Sequence, residues 1–449
     1  MTGAPVIPLL ANYAARRTAL LAQMPPGSVA IVATAPEVAR NSDCDYPYRH
    51  DSYFYYLTGF TEPDSVLALV APSATAPAQA VLFCRARHAE REIWDGFRYG
   101  PEAARATFGF DAAFPIEELD AEVSRLLADA PAICYALGGS LDAQVKVWLR
   151  NVRQKARSGV TAPASAVDLG PLLDAMRLLK DQDEQQLMRR AAAIASAAHV
   201  RAMRATRPGL HEYALEAEIL YEFRRSGAQA PAYNSIVAGG ANACILHYSA
   251  NNARLCDGDL VLIDAGCELD GYASDITRTW PVNGRFSAPQ RELYQLVLAA
   301  QQAALDMVRP GLAQNLIHEA AVQVLAQGML DLGLLDRHSC GSVQDVIANK
   351  SYLPFYMHGT SHWLGMDVHD VGAYRDTTAA GKPWRALEAG MVLTVEPGIY
   401  VRPAEGVPEH FWHTGIRIED DVLVTPQGHE VLSSAPKSVA EIEQLMSQD

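Results

Sequence analysis

The sequence predicts an α/β domain over residues 1–175, followed over 176–449 by an α+β domain with an internal, pseudo-twofold duplication. Three observations predict this. Short apolar strand patterns alternate with amphipathic helical ones through the first 175 residues. The remainder runs helix, helix, strands and then helix, helix, strands. One strand motif also occurs twice. Gly258-Asp259-Leu260-Val261-Leu262-Ile263-Asp264-Ala265-Gly266 is echoed by Gly390-Met391-Val392-Leu393-Thr394-Val395-Glu396-Pro397-Gly398, at a constant offset of 132 residues. A chain of 449 residues exceeds one ordinary core, so two domains are expected.

In the first domain, Ser28–Ala33, Val66–Ala71, Ala80–Cys84 and Ala132–Leu137 read as strands, and Leu119–Ala128 as an amphipathic helix. Residues 151–170 mix Ser, Thr, Ala, Pro and Gly without periodicity and read as the junction between domains. The second domain opens on Asp181-Gln182-Asp183-Glu184, the pattern of a capping box, before a helical run through Arg204. Pro208-Gly209 stops it, and a second helix pattern spans Glu212–Arg225. Strands are expected from Tyr233 to Trp280, helices at 289–308 and 315–333, and strands again at 391–401 and 415–425. A sheet with helices on one face accommodates this order.

The bulk numbers exclude several roles. Thirty-seven basic against 52 acidic residues give a net charge of −15, the wrong sign for a nucleic-acid or anionic-membrane surface. The seven cysteines form no CxxC pair and read as reduced thiols of a cytoplasmic protein. Arg16 and Arg17 follow the first apolar residues, the reverse of a secretory signal, and no apolar run is long enough to span a bilayer.

Each copy of the repeated strand ends in a carboxylate, Asp264 or Glu396. Each is followed by a second acid-bearing strand, Asp275 or Glu419. A carboxylate among β-branched residues is costly to bury unless it is paired or holds a cation. Four of them in two matched pairs point to one shared metal site. The hairpin joining Asp264 to Asp275 can centre on Leu269-Asp270 or on Asp270-Gly271, the stronger turn signal. Either register puts the two acids on one face, where they repel unless a cation lies between them.

Residues 358–372 carry His358, His362 and His369 among glycines and two aspartates. Imidazole is both a metal ligand and a tunable proton donor, and glycine permits close backbone approach. Other chemistries lack their residues. His211-Glu212 and His318-Glu319 begin like a zinc-protease helix, but no histidine follows at the fourth position. No GxSxG elbow occurs, and Gly239-Gly240 lacks the Lys-Ser/Thr of a phosphate loop.

Taken together, these motifs resemble the dinuclear metallopeptidases of the creatinase, prolidase and methionine aminopeptidase superfamily, with its pita-bread fold. More narrowly, the chain is similar to the aminopeptidase P (Xaa-Pro aminopeptidase) family. The likeness also takes in Arg40-Asn41-Ser42-Asp43, Tyr55-Tyr56-Leu57-Thr58-Gly59-Phe60, Glu92-Ile93-Trp94, Leu246-His247-Tyr248, Ser274-Asp275-Ile276-Thr277-Arg278 and Gly415-Ile416-Arg417-Ile418-Glu419-Asp420. It implies five metal ligands, Asp264, Asp275, His362, Glu396 and Glu419. His362 is the ligand because the superfamily places its ligand histidine seven residues before a second catalytic one, here His369. It implies two divalent ions, Mn²⁺ first, with Zn²⁺, Co²⁺ or Fe²⁺ as alternatives for an oxygen-rich shell. The implied activity is removal of the first residue from peptides with proline second, by a hydroxide bridging the metals. Glu396 carries the proton, and His247 and His369 stabilise the oxyanion. Arg417 orients Glu419. His358, His369 and Tyr400 form the proline pocket. Asp43 and Trp94 close the site of a neighbouring subunit, which implies a homo-oligomer, a tetramer or a dimer; the bland reading of Trp94 is a buried core residue. The partners are peptides, with neither nucleic acid nor membrane. The rival readings are an Xaa-Pro dipeptidase, metal-free creatinase-type hydrolysis and a non-catalytic peptide-binding module.

Overall fold

Six strands make the sheet of the N-terminal unit: β1 (Val29–Ala33), β2 (Val66–Val70), β3 (Gln79–Cys84), β4 (Ala112–Pro115), β5 (Ala132–Tyr135) and β6 (Ser165–Asp168). In this computed structural model, which describes residues 10–447, they lie in the order β4-β3-β2-β1-β5-β6. The β1–β2 and β2–β3 pairs are antiparallel and the outer pairs parallel. Helices α1 (Ala89–Asp95), α2 (Leu119–Leu126) and α3 (Asp142–Gln154) belong to this unit. Val123 of α2 and Trp148 of α3 join Val29, Ile31, Ala68 and Phe83 in its core. Residues 151–170, expected as the domain junction, instead complete the sheet, because they contain β6. That strand is short and largely exposed, so no apolar alternation marks it. The divide between compact units falls between Met176 and Arg177.

The C-terminal unit opens on the capping box. Asp181 Oδ1 accepts from Asp183 N and Glu184 N, both at 2.9 Å, and Glu184 Oε2 accepts from Asp181 N at 2.9 Å. Helix α4 (Gln182–Ala205) follows, then α5 (Glu212–Arg225), with α6 (Ala288–Leu305) and α7 (Asn315–Asp331) as the second helical pair. Strands were expected throughout Tyr233–Trp280. The structure has β7 (Ile236–Gly239), a 3-10 turn at Gly240–Cys244, an irregular stretch, and then β8 (Leu260–Asp264), β9 (Cys267–Leu269), β10 (Tyr272–Ala273) and β11 (Thr277–Pro281). The second copy comprises β12 (Val392–Val395), β13 (Gly398–Val401), β14 (Thr414–Arg417), β15 (Asp420–Thr425) and β16 (Gly428–Val431).

These strands divide into short ladders rather than one sheet: β7-β8-β11, β12-β15-β16, β13-β14 and a small sheet holding β9 and β10. The ladders break beside the acids. Pro397, after Glu396, has no N–H to contribute. Gly266, after Asp264, is crossed so closely that a Cβ there would lie 1.6 Å from Ser274 O. The first hairpin turns on Asp270-Gly271, both at positive φ (50° and 81°), as a type I′ turn requires. Its register pairs Leu269 with Tyr272 and Asp264 with Thr277.

Alternation along the strands separates two faces. Val261, Ile263, Leu393, Val395, Ile416 and Ile418 enter the core beneath the four helices, with Ala195, Leu215, Val297 and Leu325. The intervening positions, Asp264, Glu396, Arg417 and Glu419, face the other way. No helix among the described residues is long and apolar enough to cross a membrane.

Candidate metal centre

The two ribbons and the histidine segment converge on one cavity of about 330 Å³. Asp264, Asp275, His362, Glu396 and Glu419 line it, together with His247, His358, His369 and Arg417. The segment holding His362 runs as an added edge along β12. Thr394 N donates to His362 O at 2.9 Å, Glu396 N to Thr360 O at 2.8 Å, and Leu364 N to Val392 O at 3.0 Å. This backbone pairing brings the His362 ring to the acids: its Nε2 is 3.4 Å from Asp275 Oδ2 and 3.6 Å from Glu396 Oε1. Ligand atoms of Asp275, His362 and Glu419 all lie within 4.8 Å of one another.

The acids are not matched charge for charge as expected from the repeat. The second ribbon pairs Gly398 with Arg417 and Val395 with Asp420, which sets Glu419 directly across from Glu396. In the first ribbon the position across from Asp264 is Thr277, and Asp275 falls two residues further along, opposite Gly266. Thr277 therefore stands where the other half has Glu419, and Arg417 stands where the other half has Asp275. The two exceptions serve the neighbouring half. Thr277 Oγ1 donates to Glu419 Oε2 at 2.7 Å, and Arg417 Nη2 donates to Asp264 Oδ2 at 2.7 Å. Arg417, expected to orient Glu419, reaches it only through Thr277, to whose Oγ1 its Nε donates at 3.2 Å. It is buried, so it is no surface salt bridge.

The donor set fits divalent cations. His362 Nδ1 lies 3.0 Å from Trp363 O, and a carbonyl only accepts, so Nδ1 keeps its proton and Nε2, which faces the acids, is the nitrogen that would give up its proton to bind a metal. Burial, and then the neighbouring carboxylates, raise Asp275, lift Glu396 to about 7 and push Glu419 well above the usual range. Burial disfavours charge on His362, yet the hydrogen bond and charge of Asp275, with Glu396, hold it at about 9. The cluster draws in positive charge, as protons or as metal.

Around it, one directed chain of hydrogen bonds fixes His358. Arg417 Nη1 donates to the Tyr400 hydroxyl at 2.9 Å, which donates to His358 Nε2 at 2.8 Å; His358 Nδ1 donates to Gly359 O at 2.7 Å. Burial, then Arg417, lowers His358 to about 3, so it is neutral. Tyr400, expected in the proline pocket, is fully buried behind His358 and Arg417 and does not line the cavity. The His369 ring lies 4.1 Å from that of His362, tilted by 39°, and burial, His362 and His247 lower its pKa. Asp43 and Trp94 belong to the N-terminal unit, both exposed; Trp94 is 83% exposed and so is not the core residue of the bland reading.

Sequence reasoning missed Tyr233, whose hydroxyl lies 2.5 Å from Asp264 Oδ1 and 2.6 Å from Asp275 Oδ1. It gave no role to Thr277, although the residue lies within the quoted Ser274–Arg278 motif. It also missed His318, whose Nδ1 bonds Thr360 Oγ1 at 2.8 Å beneath the histidine segment.

Residues 186–426 match the family model described as metallopeptidase family M24, and residues 13–135 match that of the aminopeptidase P N-terminal domain. A Xaa-Pro aminopeptidase of Escherichia coli (strain K12) is 46% identical over 438 residues, covering 97% of each chain. The solved structure of Pseudomonas aeruginosa aminopeptidase PepP is 51% identical, with a TM-score of 0.94 over 100% of this chain and 99% of that one. A zinc-substituted E. coli aminopeptidase P in complex with product is 45% identical, with a TM-score of 0.93 over 97% of this chain and 98% of that one.

Proposed function

The chain belongs to metallopeptidase family M24, and from that membership we propose that it is a Xaa-Pro aminopeptidase, a metal-dependent hydrolase that removes the first residue from peptides with proline in second position. The observation carrying this reading is the convergence of four carboxylates and His362 Nε2 on one cavity. Asp264, Asp275, His362, Glu396 and Glu419 would hold two divalent ions. When bound, such ions polarise a carbonyl and acidify water. Mn²⁺ is our first assignment because oxygen donors outnumber the single imidazole. The zinc-substituted relative supports a site tolerant of Zn²⁺.

The remaining steps belong to the side chains. Glu396 takes a proton from the attacking water and passes it to the departing proline nitrogen. His247 and His369 donate N–H groups to the carbonyl oxygen as it gains charge. An Xaa-Pro bond is a tertiary amide with no N–H to grip, so recognition falls to the shape of the pyrrolidine ring. Both nitrogens of His358 are engaged, which leaves its ring carbons to face that ring. Arg417 and Tyr400 hold His358 from behind rather than touching substrate.

Oligomeric assembly completes the proposal. Ile93, Trp94 and Phe97 are 81%, 83% and 61% exposed, an apolar group that suits a subunit contact. With Asp43, Trp94 would close the site of a neighbouring copy in a homotetramer. Seven free cysteines suit a reducing cytoplasm. The test is a panel of Xaa-Pro-Xaa peptides, Xaa-Pro dipeptides and Xaa-Ala controls with added Mn²⁺. Cleavage of the longer Xaa-Pro peptides is expected. Cleavage of dipeptides alone would make the enzyme a dipeptidase, and activity surviving chelation would remove the metal from the chemistry.

A further inference from the structure

His211-Glu212, a pair that starts like a zinc-protease helix and then lacks its second histidine, has a different use. Glu212 is fully buried at the start of α5. Among the described residues no cation pairs with it. Four hydrogen-bond donors do, and all come from residues 239–253. Gly239 N (2.8 Å) and Asn242 Nδ2 (3.0 Å) donate to Oε1. The Tyr248 hydroxyl (2.8 Å) and Ala253 N (2.8 Å) donate to Oε2. The Glu212 backbone adds a fifth tie, its N–H to Ala253 O at 2.9 Å. Both feet of this irregular loop and its middle are therefore fastened to one carboxylate. At the middle, beside Tyr248, stands His247, which lines the metal cavity.

A buried carboxylate is expensive to desolvate and is tolerated only when its lone pairs are filled. Here the filling groups are two backbone N–H groups, of Gly239 and Ala253, and two side chains, of Asn242 and Tyr248. We propose that Glu212 is a positioning residue for His247: it freezes the 239–253 loop so that the imidazole is held at the cavity before substrate arrives. This rests on the role proposed above for His247.

Glutamine cannot replace it. Each Glu212 oxygen faces a backbone N–H, so either orientation of an amide sets its NH₂ against one of them. The test is a double-mutant cycle on the metal-loaded full-length enzyme. Glu212→Gln should lower kcat on an Xaa-Pro-Xaa peptide about 10- to 100-fold, as substitutions behind a reacting group commonly do, with KM within about twofold. In a His247→Ala background the same change should cost less than about threefold, because coupled residues are not additive. Tyr248→Phe removes one donor and should show the same dependence on His247 at smaller amplitude; it serves as the readout if Glu212→Gln does not fold. Equal losses in both backgrounds would reduce Glu212 to a structural residue and overturn the proposal. So would unchanged kcat in both variants. A near-wild-type His247→Ala is a separate result: it would remove the role of His247 and the proposal with it.

Discussion

Asp370 is the residue whose loss this fold should tolerate least. Its side chain is 1% exposed and serves two cations that are equally buried, Arg177 at 2% and Lys180 at 1%. Arg177 Nη2 donates to Asp370 Oδ1 at 2.6 Å, and Lys180 Nζ to Asp370 Oδ2 at 2.9 Å. Asp370→Asn removes the charge with little change of shape. The amide keeps one oxygen, which serves one cation only; turned to Arg177, which also keeps the half-exposed Asp367 at 2.8 Å, it sets its NH₂ against Lys180 and leaves that residue the Leu178 carbonyl at 3.4 Å. Removing one partner of a buried pair costs about 3–5 kcal/mol, because an uncompensated charge stays behind. With Lys180 nearly stranded and Arg177 partly served, about 4 kcal/mol is expected. At ~2–4 °C per kcal/mol for a domain of this size, the melting transition should fall by roughly 8–16 °C. Urea unfolding of both proteins with metal present measures it. Lys180→Met in the Asp370→Asn background should restore part of the loss by removing the stranded charge. A loss below about 1 kcal/mol, or further destabilisation by Lys180→Met, would refute the reasoning.

Three other outcomes are expected. Asp264→Ala and Glu396→Ala should each cut turnover more than about 100-fold, beyond what outer-shell changes reach; chelator should lower the wild-type melting temperature but barely move that of Glu396→Ala, which calorimetry reads. His199 is fully buried, and burial lowers it to about 4 against 6.5 when unfolded. Above pH 6.5 neither state is charged and stability is full; as pH falls from 6.5 towards 4, only the unfolded state takes the proton, and stability drops by about 1.4 kcal/mol per unit. His199→Asn should flatten that part of the urea-midpoint profile, and an unchanged slope would remove His199 as its source. Trp94→Ala should weaken turnover of longer peptides while leaving metal content alone; unchanged peptide kinetics would make the residue's exposure irrelevant to catalysis.

Legibility in the sequence followed the range of the interactions. The Asp270-Gly271 turn is local chemistry, and it fixed the register that brings Asp264 and Asp275 to one face. The capping box at Asp181 likewise spans only four residues. The four carboxylates were legible because acids are costly among strand residues unless a site employs them, whereas His362 as fifth ligand and the role of His247 came from the family resemblance. Tyr233, 31 residues from Asp264 in sequence, carries no such mark: a tyrosine before a strand is ordinary. The segment 239–253 lies within the span expected as strands, but the backbone N–H groups of Gly239 and Ala253 go to the Glu212 side chain. Strand β6 was hidden by its polarity.

The mismatch between the halves bears on how the site works. A strict duplication would place an acid at each of the positions held by Thr277 and Arg417, giving six carboxylates facing two cations. The structure has four carboxylates and a guanidinium. The two divalent ions proposed above, together with Arg417, would carry +5 against −4, which would leave one negative charge welcome in the cavity. That is the charge an amide oxygen gains on becoming tetrahedral. Arg417 donates to Asp264 with one nitrogen and, through Tyr400, holds His358 with another. The position that breaks the symmetry thus couples a candidate metal ligand to the wall proposed for proline. Arg417→Lys would keep the charge but not the fork. It should retain metal while losing discrimination between Xaa-Pro and Xaa-Ala peptides. Loss of metal with discrimination intact would show that the charge alone, and not the geometry of the fork, is what the second half contributed.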